Sequence, residues 1–186
     1  AHIIDMARFI TGQEIVEVSG ALAETFIPQR PLPAVPTVRD GVVASGRQNR
    51  QMGKSDVDDC VLFLARFTGG AVGSFEATRL ATGHQNNNNI EINGELGALR
   101  FGFEDMNLLW YFDNRDEKTV AGWRRISVTS AGDHPYAGAW WPDGRIIGYE
   151  HTFVNMVADM MAVLAGGEPT VPLPDFADAY ETQRVL

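Results

Sequence analysis

From Val57 to Ser130 the chain consists of one strand-length apolar segment after another, and this succession constrains the fold more than any other feature. VDDCVLFLARF and AVGSFEATRL flank a TGG turn, the pattern of a hairpin. IEING and LGALRFGF form a second pair around Glu95, and NLLWYF and RRISVTS supply two more strands. Consecutive strands with few helices between them predict an α+β fold with a large, mostly antiparallel sheet. In VLFLARF both alternating sets are largely apolar. Helices are therefore expected on one face of the sheet and a second subunit on the other.

The remaining segments are fewer. Ile15, Val16 and Val18 start an earlier strand. HIIDMARFIT, residues 2–11, is apolar almost all round, which predicts a helix buried on every side and ended by a left-handed Gly12. A helix over 152–165 follows from Phe153, Met156, Val157, Met160 and Leu164 at spacings of three and four, with Met156, Met160 and Met161 in the core. Gly166 and Gly167 end it, and DFADAYETQRVL begins a last helix over 175–186 that runs to the final residue uncapped. Four prolines between 28 and 36 exclude a central strand, so 27–54 reads as a long surface excursion, a common place for function. Asn86–Asn89 reads as a polar turn.

Bulk properties narrow the function classes. A net charge of −9 argues against nucleic acid and anionic membrane as partners. No apolar run approaches the roughly 18 residues of a spanning helix, and no signal peptide is visible. A single cysteine, Cys60, excludes an internal disulfide framework and fits a cytoplasmic location. One cysteine and four scattered histidines make no zinc pattern, so no metal is expected. With 186 residues the chain makes one domain, or one and a small lobe.

Four stretches occur in a telling order: HIIDMARFITGQEIVEV, FTGGAVGSFEATRLATGHQNNNNIEINGELGALRF, WWPDGRIIGYEHTF and PLPDFADAYETQRVL. Together they resemble the C-terminal domain of the Gfo/Idh/MocA family, the oxidoreductases related to glucose–fructose oxidoreductase and inositol dehydrogenase. The resemblance covers nearly all of the chain. It implies that 1–186 is a substrate-binding and oligomerisation domain, truncated from a parent whose N-terminal Rossmann domain binds NAD or NADP. The helix at His2 would then cross between the two domains, after an aspartate lying four residues before the histidine and upstream of Ala1. No G-x-G-x-x-G follows a strand here, so cofactor-binding residues are unknown, no cofactor is expected on this chain, and the isolated chain is expected inactive. Glu117–Lys118–Thr119 is similar to the family's Glu-Lys-Pro stretch, but that stretch belongs to the missing domain, and a polar hairpin tip is expected instead.

Oxidising a secondary alcohol by hydride transfer needs a group that takes the hydroxyl proton, and a histidine titrating near neutrality suits the task. The resemblance, rather than spacing, puts His2 in this catalytic role. The residues alone allow a blander reading, in which His2 and Asp5 share a buried hydrogen bond on one helical face. Asp5 stays structural. The resemblance also implies a polyol or sugar pocket at the corner holding Arg79, His84 and Asn86, where related sequences usually carry a basic residue at the place of His84. An arginine fork and an amide suit several hydroxyls or a carboxylate; the alternative is a solvated turn. Trp140, Trp141, Tyr149 and His151 offer flat faces for sugar C–H groups and polar tips for hydroxyls, or else form an aromatic core cluster.

Two functions follow. The first is the substrate domain of an NAD(P)-dependent oxidoreductase acting on a sugar, inositol or related polyhydroxy compound. The second is a non-catalytic ligand-binding or subunit-assembly domain. The expected partners are a small polyhydroxy substrate and further copies of the chain, paired through the sheet as a homodimer or tetramer.

Overall fold

The computed structural model describes residues 1–32 and 51–186, and the chain divides into two compact units. The first comprises 12–82. Here β1 (Ile15–Glu24), β4 (Cys60–Phe67) and β5 (Val72–Thr78) make an antiparallel sheet in the order β1-β4-β5. The TGG segment turns β4 into β5 as the sequence predicts, with Gly70 at φ 86°. Alternation sorts the side chains. Phe63, Ala65, Phe67 and Phe75 are buried on one face, and the paired rings of Phe63 and Phe75 stack with centroids 4.8 Å apart. Leu62, Leu64 and Val72 are exposed on the other face, beside a cross-strand Glu17–Arg66 ion pair of 3.1 Å.

Two short strands, β2 (Gln29–Pro31) and β3 (Met52–Lys54), pair at the base of the 27–54 excursion; residues 33–50 of that reading lie outside the described residues. The fully buried Asp59 ties this base down. Its carboxylate accepts the Ile27 N–H at 2.8 Å and pairs with the guanidinium of Arg30. Arg30 donates in turn to Ser55 Oγ at 3.1 Å.

The second unit comprises 1–11 and 83–186. It holds α1 (His2–Thr11), then β6 (Asn89–Asn93), β7 (Gly97–Gly102), β8 (Leu108–Asp113) and β9 (Arg124–Ser127) as an antiparallel meander, with a 3-10 turn at Phe103–Asp105. Glu117–Thr119 lies in the β8–β9 connection, as expected. Register puts Ile90, Ile92, Leu99, Phe101, Leu109 and Ile126 on one face. The opposite face carries Glu91, Arg100, Trp110 and Arg125, with the Arg100 guanidinium between Trp110 and Trp123, 5.3 and 5.0 Å from their centroids. Gly97 is required where it stands, because a Cβ there would strike the Phe112 carbonyl oxygen. Three helices follow: α2 (Ala137–Trp140), α3 (Tyr149–Leu164) and α4 (Phe176–Gln183).

The α+β class and its antiparallel strands are as the sequence predicts, but hydrogen bonding divides the strands into three sheets instead of one large one. The break falls at Leu80–Asn88, which carries no strand. Three helix expectations also need correction. In α1, Ile4 and Ala7 are buried but Phe9 and Ile10 are exposed, and the third buried residue is Arg8. Burying that charge is possible because Asp178 O, Asp178 Oδ1 and Thr182 Oγ1 all accept from it at 2.8–3.1 Å. In α3 the expectation inverts. Met156, Met160 and Met161 are exposed, whereas Asn155 and Asp159 are buried because they satisfy polar groups of the preceding segment. Finally, α4 begins at an Asp175 cap on the Asp178 N–H and closes at Gln183, short of Leu186. Gly166 and Gly167 do end α3, donating to the carbonyls of Val163 and Ala162 at 2.9 Å each.

Candidate functional site

His2 is the first residue of α1 and is exposed, and its ring has no hydrogen-bond partner among the described residues. Asp5 is exposed too, and engages Thr182 Oγ1 (3.4 Å) and Arg8 (3.8 Å). The buried His2–Asp5 pair is therefore not formed, and Asp5 serves the α1–α4 contact. Arg79 belongs to the other unit: it follows β5, its N–H bonds to Asp59 O at 2.9 Å, and its side chain is exposed.

His84 and Asn86 meet at a residue that sequence reasoning missed, Glu104. One carboxylate oxygen accepts the N–H groups of Gln85 and Asn86 at 2.7 and 2.9 Å, and the other lies 3.0 Å from His84 Nδ1. The hydrogen bond from His84, then those from Asn86 and Gln85, hold the Glu104 carboxyl down at about 2. Glu104 is thus an anion gripped by three consecutive residues of the loop that carries the predicted sugar-binding groups. The 3-10 turn Phe103–Asp105 sets it there, directly after β7 ends at Gly102.

Phe103 also links this loop to α3. Its ring meets Tyr149 edge-on at 5.7 Å, and Tyr149 meets Phe153 in the same manner at 4.9 Å. Asn107, just beyond the turn, brackets Ile147 by accepting its N–H (3.0 Å) and donating to its carbonyl (2.9 Å). This side chain fixes where the 142–148 segment enters α3.

His151 caps α3 by accepting the Gly148 N–H on Nδ1 at 3.0 Å, as a glutamate does in a capping box. Its proton therefore sits on Nε2. The ring of Trp140 stands edge-on to it at 4.4 Å, and Trp140 Nε1 donates to the buried Asn155 at 2.8 Å. One turn further, Asp159 accepts from the Tyr136 hydroxyl and from Thr170 N–H (2.9 Å). Burial and then Asp159 push the Tyr136 hydroxyl up to about 12, while the Tyr136 hydrogen bond holds Asp159 below its ordinary value. His151, Asn155 and Asp159 recur every four residues, a polar stripe on an apolar helix that the sequence displays. Trp141 is exposed and has no part in this ladder.

The structure thus joins His84 to Asn86 through Glu104, and Trp140 to His151 directly, with Tyr149 adjoining the first group through Phe103. What these groups offer is chemistry for hydroxyls and C–H faces: imidazoles, amides, a carboxylate and edge-exposed rings.

Residues 1–100 match the family model described as GFO/IDH/MocA C-terminal domain. The chain belongs to this family. Among relatives, the levoglucosan dehydrogenase of Pseudarthrobacter phenanthrenivorans is 36% identical over 185 residues, covering 99% of this chain and 45% of that protein. A crystal structure of an oxidoreductase domain protein from Kribbella flavida superposes with a TM-score of 0.81 at 47% identity, over 99% of this chain and 45% of that one. Levoglucosan dehydrogenase in complex with NADH and L-sorbose gives 0.79 at 35% identity, over 99% and 43%. This family member therefore spans less than half the length of these relatives.

A nicotinamide dinucleotide, which the family implies, finds no cradle among the described residues. Every strand pairing among the described residues is antiparallel, and no glycine-rich turn among them leads from a strand into a helix. The residues present do not fit that group. Nor does any group of three or more His, Cys, Asp or Glu among the described residues have the arrangement to hold a metal, and no described helix is long and apolar enough to cross a membrane.

Proposed function

We propose that this chain is the substrate-binding domain of a nicotinamide-dependent dehydrogenase that acts on the CH–OH groups of a sugar or a related polyhydroxy compound. The observation that carries the reading is the gathering of His84, Asn86, Glu104, Phe103 and Tyr149 at one end of a sheet, in a chain similar over 99% of its length to levoglucosan dehydrogenase. In this reading His2 takes the hydroxyl proton of the reacting alcohol. Its ring is exposed and unencumbered, as an acid–base group facing a ligand must be. Asn86 and His84 bind further hydroxyls, and Tyr149 offers a face to ring C–H groups. Trp140, whose indole Asn155 holds, and His151 in edge-on contact with it form a stiff wall, and Trp141 adds a further ligand contact. The dinucleotide is held by other parts of a longer protein.

A second copy of the chain is part of this proposal. Leu22, Leu62, Leu64 and Val72 expose an apolar surface on the outer face of β1-β4-β5, the type of surface that subunits cover.

The test is an initial-rate measurement on the full-length protein with NAD⁺ or NADP⁺ and levoglucosan, L-sorbose or inositol. Reduction of the nicotinamide with any of these compounds supports the assignment. A full-length protein that binds the sugar but reduces no nicotinamide would instead be a non-catalytic ligand-binding protein.

A further inference from the structure

We propose that Glu104 and His84 form a carboxylate-oriented imidazole whose Nε2 accepts a hydrogen bond from a hydroxyl of the polyhydroxy ligand, with Glu104 the positioning residue. This deepens the sugar-binding reading and rests on it.

An ionised carboxylate can only accept, so the 3.0 Å contact between Glu104 Oε2 and His84 Nδ1 requires the proton on Nδ1. Neutral His84 is then left with a bare lone pair on Nε2. Two other histidines are fixed in the opposite sense. His151 Nδ1 accepts from Gly148 N–H, and His134 Nδ1 accepts from the N–H groups of Tyr136 and Ala137, so both keep their proton on Nε2. His84 is thus the imidazole whose environment makes its outer nitrogen an acceptor.

Glu104 cannot easily release the ring. Its other oxygen is held by Gln85 and Asn86 N–H, so carboxylate, loop and imidazole are oriented as a unit. The side chain of His84 is 48% exposed, which leaves the ring open to a ligand. The neighbouring Phe103–Tyr149 pair supplies an aromatic surface along the same stretch.

Arginine and lysine carry donors only, so a basic residue of either type at this position takes hydrogen bonds to a sugar's oxygens and to its carboxylate, if it has one. The Glu104–His84 pair instead takes the proton of a hydroxyl and gains nothing from a carboxylate. It selects neutral sugars with a free hydroxyl over sugar acids.

The test uses the full-length protein labelled with ¹⁵N-histidine, at a pH of about 8 where an imidazole is neutral. The ring nitrogen shifts of His84, assigned by its loss in His84→Arg, are expected to show the Nδ1–H form. Saturating levoglucosan or L-sorbose is expected to move Nε2 in the sense of an accepted hydrogen bond. In Glu104→Gln the amide NH₂ faces Nδ1, so the tautomer should invert to Nε2–H. Both His84→Arg and Glu104→Gln should raise KM for the neutral sugar by about three- to tenfold, the size of one neutral hydrogen bond, with kcat the less affected. His84→Gln, which retains an acceptor, should recover part of the loss. A wild-type Nε2–H tautomer would overturn the proposal, and so would an Nε2 resonance that neither sugar moves while turnover proceeds. A moved resonance without turnover would leave this site standing and remove the dehydrogenase assignment.

Discussion

Removing the Asp59 carboxylate should loosen the whole 12–82 unit, and its surroundings allow the cost to be worked out. The side chain is fully buried, whereas its partner Arg30 is about one-third exposed. Breaking a buried pair by deleting one partner typically costs about 3–5 kcal/mol, because the other charge is stranded. Arg30 can reach water, so the low end of that range applies. The Ile27 N–H also loses its acceptor at 2.8 Å, a loss of about 1–3 kcal/mol when the donor stays dry. Ile27 is 38% exposed, so this contribution is also small. Asp59→Ala should therefore cost about 3 kcal/mol, a large share of a typical stability of about 5–15 kcal/mol. Asp59→Asn keeps an acceptor for Ile27 but strands Arg30 as Ala does, and should cost about 2–3 kcal/mol. In an Arg30→Met background the stranded-charge part is already absent, so Asp59→Ala should there cost under about 1 kcal/mol. All four tryptophans lie outside 12–82, so indole fluorescence does not report on this unit. Amide hydrogen exchange at Ile27 and Arg79, both bonded to Asp59, does. A loss for Asp59→Ala below about 0.5 kcal/mol, or an undiminished loss in the Arg30→Met background, would refute the reasoning.

Two further expectations follow from the same structure. Burial lowers the proton affinity of His134, and two backbone N–H groups aimed at Nδ1 at 3.2 Å add to that, so its NMR titration midpoint should fall below the ordinary 6.5. The unfolded chain takes a proton near 6.5 while the folded one resists, so stability should fall as pH drops through that value; a midpoint at or above 6.5 would contradict the cause. Sedimentation of the full-length protein should give a multiple of the single-chain mass, and a monomer at micromolar concentration would mean that Leu22, Leu62, Leu64 and Val72 are covered in some other way.

Strands were the most legible part of this sequence, because period-two alternation and turn residues are local signals. TGG, the Glu95 turn and the glycine pair after α3 all stand where local chemistry put them. Helix faces were less legible for a physical reason. Apolar spacing says that a stripe exists but not that polar groups elsewhere will outbid it, and the Trp140 indole, Tyr136 hydroxyl and Thr170 N–H drew Asn155 and Asp159 inside instead. Arg8 entered the interior in the same way, through acceptors on α4 some 170 residues distant in sequence. His84 and Asn86 were visible as candidates, but Glu104, which organises them, was not. An acid at the end of an apolar strand resembles any solvated turn until its partners, 18 to 20 residues earlier, come into view.

In the proposed reaction His2 faces the sugar hydroxyl that is oxidised. The most direct measurement compares full-length wild type with His2→Ala for nicotinamide reduction by levoglucosan. Loss of an acid–base group should lower kcat by about 10²–10⁴-fold while dinucleotide affinity stays near its wild-type value. An unchanged kcat would make His2 an ordinary exposed residue of α1 and contradict the account.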